Sequence, residues 1–130
     1  MQEVWVFDVD GTIVDSHTGC SLRPGTIELF ADLRADGCSI VLWSAGGASY
    51  AQGRATQHGI DHLVDGFYEK AVRDDDGRYR PAFLADLAAA TFVDDRPEDM
   101  PEAATVVAVS PYLAEDPFDR GLTRAVDGLR

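Results

Sequence analysis

Positive charge is scarce in this 130-residue chain: lysine and arginine total 11 against 23 aspartates and glutamates, for a formal net charge of −12 at pH 7. That balance excludes a surface built to coat DNA or RNA, which needs basic side chains against phosphate. It does not exclude a phosphorylated ligand, because carboxylates that hold a cation invert the local sign. Cysteine is nearly absent. Cys20 and Cys38 stand far apart with no CxxC partner, so neither a zinc site nor a disulfide framework is indicated, and a reduced, cytoplasmic setting is expected. No run approaches the ~20 apolar residues that a membrane span needs. Met1 is followed almost at once by the first apolar run, so no signal peptide is expected. There is no internal repeat, no linker-like stretch and no GxGxxG. No Gly-rich run precedes Lys70, the only lysine, which excludes a P-loop kinase.

What is present reads as one α/β domain over 1–130, since 45% apolar content is ordinary for a globular chain of this length. Residues 3–8 predict a buried strand. Residues 11–23 are polar, with a short hairpin, and Pro24 sits where a helix accepts a first-turn proline. Ile27, Leu29, Phe30 and Leu33 give a helical apolar face ended by Gly37. Ser39 to Trp43 is a second strand, a helix follows over about 48–58, and 66–69 form a short strand. Asp74-Asp75-Asp76-Gly77 is a solvated turn. Residues 81–89 are expected to be helical, 91–93 and 105–109 to be strands, and 117–129 to be a closing helix. This alternation predicts a Rossmann-like three-layer sandwich, a mostly parallel sheet with helices on both faces.

The strand ends carry the chemistry. The first apolar run ends in Asp8-Val-Asp10-Gly11-Thr12, the second in Ser44 and the fourth in Asp94-Asp95, with Asp99 shortly after and Lys70 between them. In an open parallel sheet such ends converge on one crevice. Acids gathered there are costly unless they hold a cation or perform chemistry. The set suits phosphoryl transfer. A carboxylate can attack phosphorus, and Mg²⁺ takes carboxylate and phosphate oxygens. A lysine and a hydroxyl can hold the phosphoryl oxygens. A second acid can protonate the leaving group and then activate water.

These four motifs, in this order over residues 3–109, resemble those of the haloacid dehalogenase (HAD) superfamily phosphatases: DxDGT, a strand ending in Ser or Thr, a lysine, and a strand ending in two acids with a further acid beyond. The resemblance implies a Mg²⁺-dependent phosphomonoester hydrolase working through an aspartyl-phosphate intermediate. Asp8 would be nucleophile and metal ligand. Asp10 would be general acid/base, with its backbone carbonyl on the metal. Thr12, Ser44, the Ala45 amide and Lys70 would hold the phosphoryl group, Lys70 also pairing with Asp8. Asp95 would be the main metal ligand of the acidic pair, with Asp94 beside it and Asp99 in support. Neither the stretch from Thr12 to Ser44 nor that from Ser44 to Lys70 has room for a cap domain, so the chain resembles a capless member. An open site of that kind implies a large phosphorylated substrate, or a second copy of the chain that closes it. The runner-up reading keeps the fold and replaces hydrolysis by phosphotransfer, or by non-catalytic phosphate sensing or partner binding.

Blander readings stand beside this one. A calcium loop starting at Asp8 lacks its sixth-position Gly (Ile13) and its twelfth-position Glu (Gly19). A receiver domain needs a lone Asp at the end of a middle strand, and none is found. Asp94-Asp95 alone would be a helix N-terminus, Ser44 alone a cap and Lys70 alone a surface residue. His17, His58 and His62 lack ligand spacing; His17 and Arg23 lie in the flap, and Trp5 and Trp43 are expected in the core.

Overall fold

The computed structural model describes residues 3–102 and 104–129. Their sheet has five parallel strands in the order β3-β2-β1-β4-β5, with β1 at Val4–Phe7, β2 at Ser39–Ser44, β3 at Gly66–Glu69, β4 at Ala90–Asp94 and β5 at Thr105–Ala108. The three central strands β1, β2 and β4 are short, mostly apolar and mostly buried, as strands covered on both faces must be, while the edge strands β3 and β5 are partly exposed. Helices α1 (Thr26–Ala35) and α2 (Ala48–Gln57) connect β1 to β2 and β2 to β3, and α3 (Gly121–Asp127) follows β5. Chain direction through the sheet reverses between β3 and β4, so β1 and β4 flank the switch point where ligands bind in such sheets.

The reversal also decides which face each connection covers. Right-handed crossovers place α1 and α2 on one face, and the β3-to-β4 connection, running back across the sheet, on the other. On the first face Phe30 and Leu33 of α1, Ala51 and Ala55 of α2, and Leu122 and Val126 of α3 bury Phe7, Ile40, Leu42 and Val93. On the second, Val6, Val41, Trp43, Phe92 and Met100 are covered by Tyr79, Phe83, Leu84 and Leu87. Full burial of side chains of this size contributes about 1.5–3 kcal/mol each. Trp5 and Trp43 both lie in the core.

That second face departs from the sequence expectation. Residues 81–89 are not an α-helix. They run as turns until Asp86, whose carboxylate accepts from the Ala88 amide and starts a 3₁₀ turn at Leu87–Ala89. A mid-segment aspartate competes with helix by bonding its neighbours' backbone. The apolar residues that suggested a helix instead pack irregularly, with Phe83 stacked on Tyr68 at 4.3 Å and edge-on to Trp43 at 5.6 Å. The layer is completed by a second 3₁₀ turn at Pro97–Asp99. The closing helix is also shorter than its expected 117–129. Asp116 and Asp119 accept from the amides of Phe118 and Gly121, and turns replace its first residues. Pro24 lies just outside α1, which starts after Gly25.

Residues 11–23 form a flap with an isolated antiparallel bridge between Val14 and Leu22. Asp15 is its hub: the carboxylate accepts from the amides of Thr18 at 2.7 Å and Ser21 at 2.9 Å, and from the Thr18 hydroxyl. Burial opposes ionisation of Asp15, but the Ser21 and Thr18 donors outweigh it and hold the carboxyl down at about 2. Asp15→Ala is therefore expected to lose about 2 kcal/mol, the cost of stranding buried donors. A pKa held below its ordinary 3.8 makes this contribution full above that value, and it is lost as pH falls towards about 2. Denaturant midpoints of the two proteins at pH 7 and across the acid limb check this; coincident midpoints at pH 7 would contradict it.

Candidate active site

Asp8, Asp10, Ser44, Ala45, Lys70, Asp94, Asp95 and Asp99 all line one cleft of about 280 Å³ beyond the carboxyl ends of the strands. Parallel pairing in register sets this convergence: Phe7 pairs with Leu42 and Val93, so the residues that follow leave the sheet together. The Asp8 amide extends the ladder to the Val93 carbonyl at 3.0 Å, and the Lys70 amide reaches the Ser44 carbonyl at 2.9 Å. Ser44 is buried, with its hydroxyl accepting from the Gly46 amide at 3.0 Å.

At the centre, Lys70 Nζ stands 2.9 Å from Asp8 Oδ1 and 2.9 Å from Asp94 Oδ2, with a side chain only 6% exposed. The rings of Trp43 and Tyr79 lie 5.7 and 5.5 Å from the ammonium. Burial works against the lysine's charge, but Asp8 and Asp94 outweigh it and raise its pKa, so it is held as a cation. Burial raises the Asp8 carboxyl to about 6, against the pull of Lys70 and with the help of Asp95. Burial and the Asp8 charge likewise raise Asp94 to about 6, despite Lys70 and the Arg96 amide.

Asp94 Oδ2 takes Lys70 and Oδ1 takes the Arg96 amide at 2.8 Å, so both of its oxygens are engaged. Asp95 stands beside Asp8 and helps to hold its carboxyl up. Oxygens of Asp8, Asp94 and Asp95 lie within 4.8 Å of one another, a spacing that suits a hard divalent cation. Gly11 is required beside them. It has φ +80°, and a Cβ there would stand 2.5 Å from Asp95 Oδ2.

Thr12 lies behind Asp8. It is fully buried and outside the cleft lining, and its hydroxyl donates to Asp8 Oδ2 at 3.1 Å. It fixes the Asp8 carboxylate from behind, where the turn at Gly11 brings the Thr12, Ile13 and Val14 amides onto the Val9 carbonyl. Asp99 sits at the rim, 3.7 Å from the Arg73 guanidinium. His17 is exposed in the flap. Arg23 is buried away from the cleft, where it binds Asp119 at 2.9 Å and lies over the Tyr112 ring.

Four lining or adjoining groups were not singled out from the sequence. Arg73, Tyr79 and Arg96 line the cleft. Arg73 lies over the Tyr79 ring at 4.0 Å and donates to its hydroxyl at 2.8 Å. The two residues flank the acidic turn, paired across it by a bridge. Tyr50, on α2, donates to Asp10. The signals available were an Arg and a Tyr placed symmetrically about a turn, and a Tyr-Arg pair four apart on the helix after Ser44.

No protein-family model matches the chain, and no curated protein matches it. Solved structures resemble it in fold. The core domain of a "putative phosphoglycolate phosphatase" of Streptococcus pneumoniae superposes with a TM-score of 0.55 at 14% identity, over 76% of this chain and 70% of that one. An uncharacterized protein of Listeria monocytogenes serotype 4b superposes with a TM-score of 0.63 at 13% identity, over 90% of this chain and 85% of that one. The chain has a Rossmann-like α/β fold, similar to that of these two structures. Among the described residues no helix is long and apolar enough to cross a membrane.

Proposed function

We infer that the protein is a Mg²⁺-dependent phosphomonoester hydrolase, a capless HAD-type phosphatase. The observation that carries this reading is the bonding of the sole lysine to Asp8 and Asp94 at 2.9 Å, at the sheet's switch point and beside Asp95. A half-buried carboxylate bound by Lys70 and Thr12, and bordered by acids that a cation would neutralise, is a fixed nucleophile.

The chemistry then runs in two halves. An oxygen of Asp8 attacks phosphorus, and the bond from phosphorus to the ester oxygen breaks. Asp10 gives that departing oxygen a proton. Asp10 then takes a proton from the water that attacks the aspartyl phosphate, the bond between phosphorus and Asp8 breaks, and inorganic phosphate leaves with Asp8 restored. Lys70, Ser44 and Ala45 line the cleft, where the ammonium, the hydroxyl and the Ala45 amide would meet the phosphoryl oxygens. When bound, Mg²⁺ supplies positive charge against the phosphate and between the carboxylates. Asp8, Asp95 and the Asp10 carbonyl would hold it. Asp94, held by the Arg96 amide through one oxygen, orients Lys70 through the other, and Asp99 supports the rim through Arg73. A bulky substrate, or a second copy of the chain, would close the open side of the cleft.

Mg²⁺-dependent phosphate release from a generic aryl phosphate tests the activity; a panel of phosphorylated metabolites, nucleotides and phosphopeptides would then identify the substrate. Absence of release from every member would refute it. The division of the acidic pair is tested by calorimetric titration with Mg²⁺. Asp95→Ala is expected to weaken binding at least ~10-fold, and Asp94→Ala less. Loss of binding in Asp94→Ala with retention in Asp95→Ala would reverse the two roles.

A further inference from the structure

Asp10 is exposed, yet its carboxylate is held. The Tyr50 hydroxyl lies 2.5 Å from Asp10 Oδ1, and Arg54 Nε lies 3.2 Å from the same hydroxyl. Arginine can only donate. Tyr50 therefore accepts from Arg54 and directs its own single proton to Asp10. The direction of this relay, Arg54 to Tyr50 to Asp10, follows from donor chemistry, and each bond in it polarises the next.

The relay is anchored at both ends. Gly46 leaves room for the Tyr50 ring: a Cβ there would stand 2.7 Å from Tyr50 Cδ2. The Arg54 guanidinium lies 5.2 Å from the Tyr50 ring centroid. It also donates to the Thr18 carbonyl at 2.9 Å and to Gln57 Oε1 at 2.8 Å. His58, one turn further along, meets the Gly19 carbonyl at 2.8 Å. Positions 50, 54 and 58 share one face of the segment formed by α2 and its C-cap, and that face meets the flap tip. Gly19 is fitted to it, since a Cβ there would lie 2.6 Å from the guanidinium.

We propose that Tyr50, oriented by Arg54, is a positioning residue for the acid/base Asp10, fixing one carboxylate oxygen so that the other is presented to the leaving-group oxygen. This rests on the phosphatase reading above. With Oδ1 occupied, Oδ2 is the oxygen that gives up the proton as the ester bond to phosphorus breaks. Through the Thr18 carbonyl the relay also meets the flap tip.

The test compares kcat/KM, which reports the phosphorylation half alone, for an aryl phosphate with a good leaving group and an alkyl phosphate with a poor one. Only the poor leaving group depends strongly on the proton from Asp10. Tyr50→Phe is expected to lower kcat/KM ~10-fold for the alkyl ester and less than ~2-fold for the aryl ester. In an Asp10→Asn background the same substitution is expected to change neither. A Tyr50 that merely braced the fold would lower both esters alike and would do so with or without Asp10. An equal fall on both esters, an undiminished fall in the Asp10→Asn background, or a faster Tyr50→Phe enzyme would overturn the proposal. Inactivity of the wild-type protein on both esters would instead overturn the phosphatase reading on which it stands.

Discussion

Asp8→Asn is expected to lower turnover by at least ~10³-fold, the scale on which removing one member of a catalytic unit acts. The amide keeps the shape of the side chain and loses the charge with which Asp8 would attack phosphorus. The same substitution is expected to raise the melting temperature of the metal-free protein at neutral pH. Burial lifts the Asp8 carboxyl to about 6, well above its ordinary 3.8, so the folded state favours its protonated form. A raised carboxyl pKa stabilises the fold below the ordinary value, and that gain is lost as pH rises through about 6. The stability difference should therefore be largest above pH 7 and close towards pH 4, as wild-type Asp8 takes up its proton. Mg²⁺ should stabilise the wild type more than the variant, because it binds the folded state and needs the charge. Thermal melts with and without Mg²⁺ at several pH values measure all of this. A metal-free Asp8→Asn protein that melts below wild type at neutral pH would contradict the clustered-acid account.

Lys70→Ala is expected to damage both stability and rate. The side chain is 6% exposed and is the cation bound to both Asp8 and Asp94. Its removal leaves Asp8, Asp94 and Asp95 facing one another without it. Breaking a buried pair by deleting one partner costs about 3–5 kcal/mol. Loss of a fixed donor to the phosphoryl oxygens lowers kcat by about 10²–10³. Mg²⁺ should restore part of the stability and little of the rate. Lys70→Arg should not rescue activity, since a planar fork does not replace a compact ammonium packed between Trp43 and Tyr79. Equilibrium denaturation and steady-state kinetics check both effects; wild-type stability in metal-free Lys70→Ala would show that the ion pairs carry no weight.

The strands were legible because buried parallel strands are unbroken apolar runs, and the site was legible because three of those runs end in Asp8, Ser44 and Asp94. Lys70 could be singled out as the only lysine, though nothing in its spacing fixed its partners. The segment 81–89 was misread because its apolar spacing and alanines favour helix, whereas its structure answers to the second sheet face and to Asp86. The bond from Thr12 to Asp8 was not legible either, since it depends on the reversal after Gly11. Tyr50 and Arg54 could not be found by motif, since their role exists only where the α2 face meets the flap. The Arg23–Asp119 pair spans 96 positions, and no local pattern announces such a contact.

The central claim is that Asp8 forms a covalent bond to phosphorus, and the most direct measurement is to trap it. Enzyme loaded with Mg²⁺ is mixed with a hydrolysable phosphomonoester, quenched in acid within one turnover, reduced with borohydride and mapped by peptide mass spectrometry. Borohydride converts an aspartyl phosphate to homoserine and leaves free carboxylates unchanged. The account predicts homoserine at position 8 in the wild-type protein, more of it in Asp10→Asn, where water is no longer activated to release the phosphate, and none in Asp8→Asn. Phosphate release at the wild-type rate with position 8 unmodified throughout would contradict it.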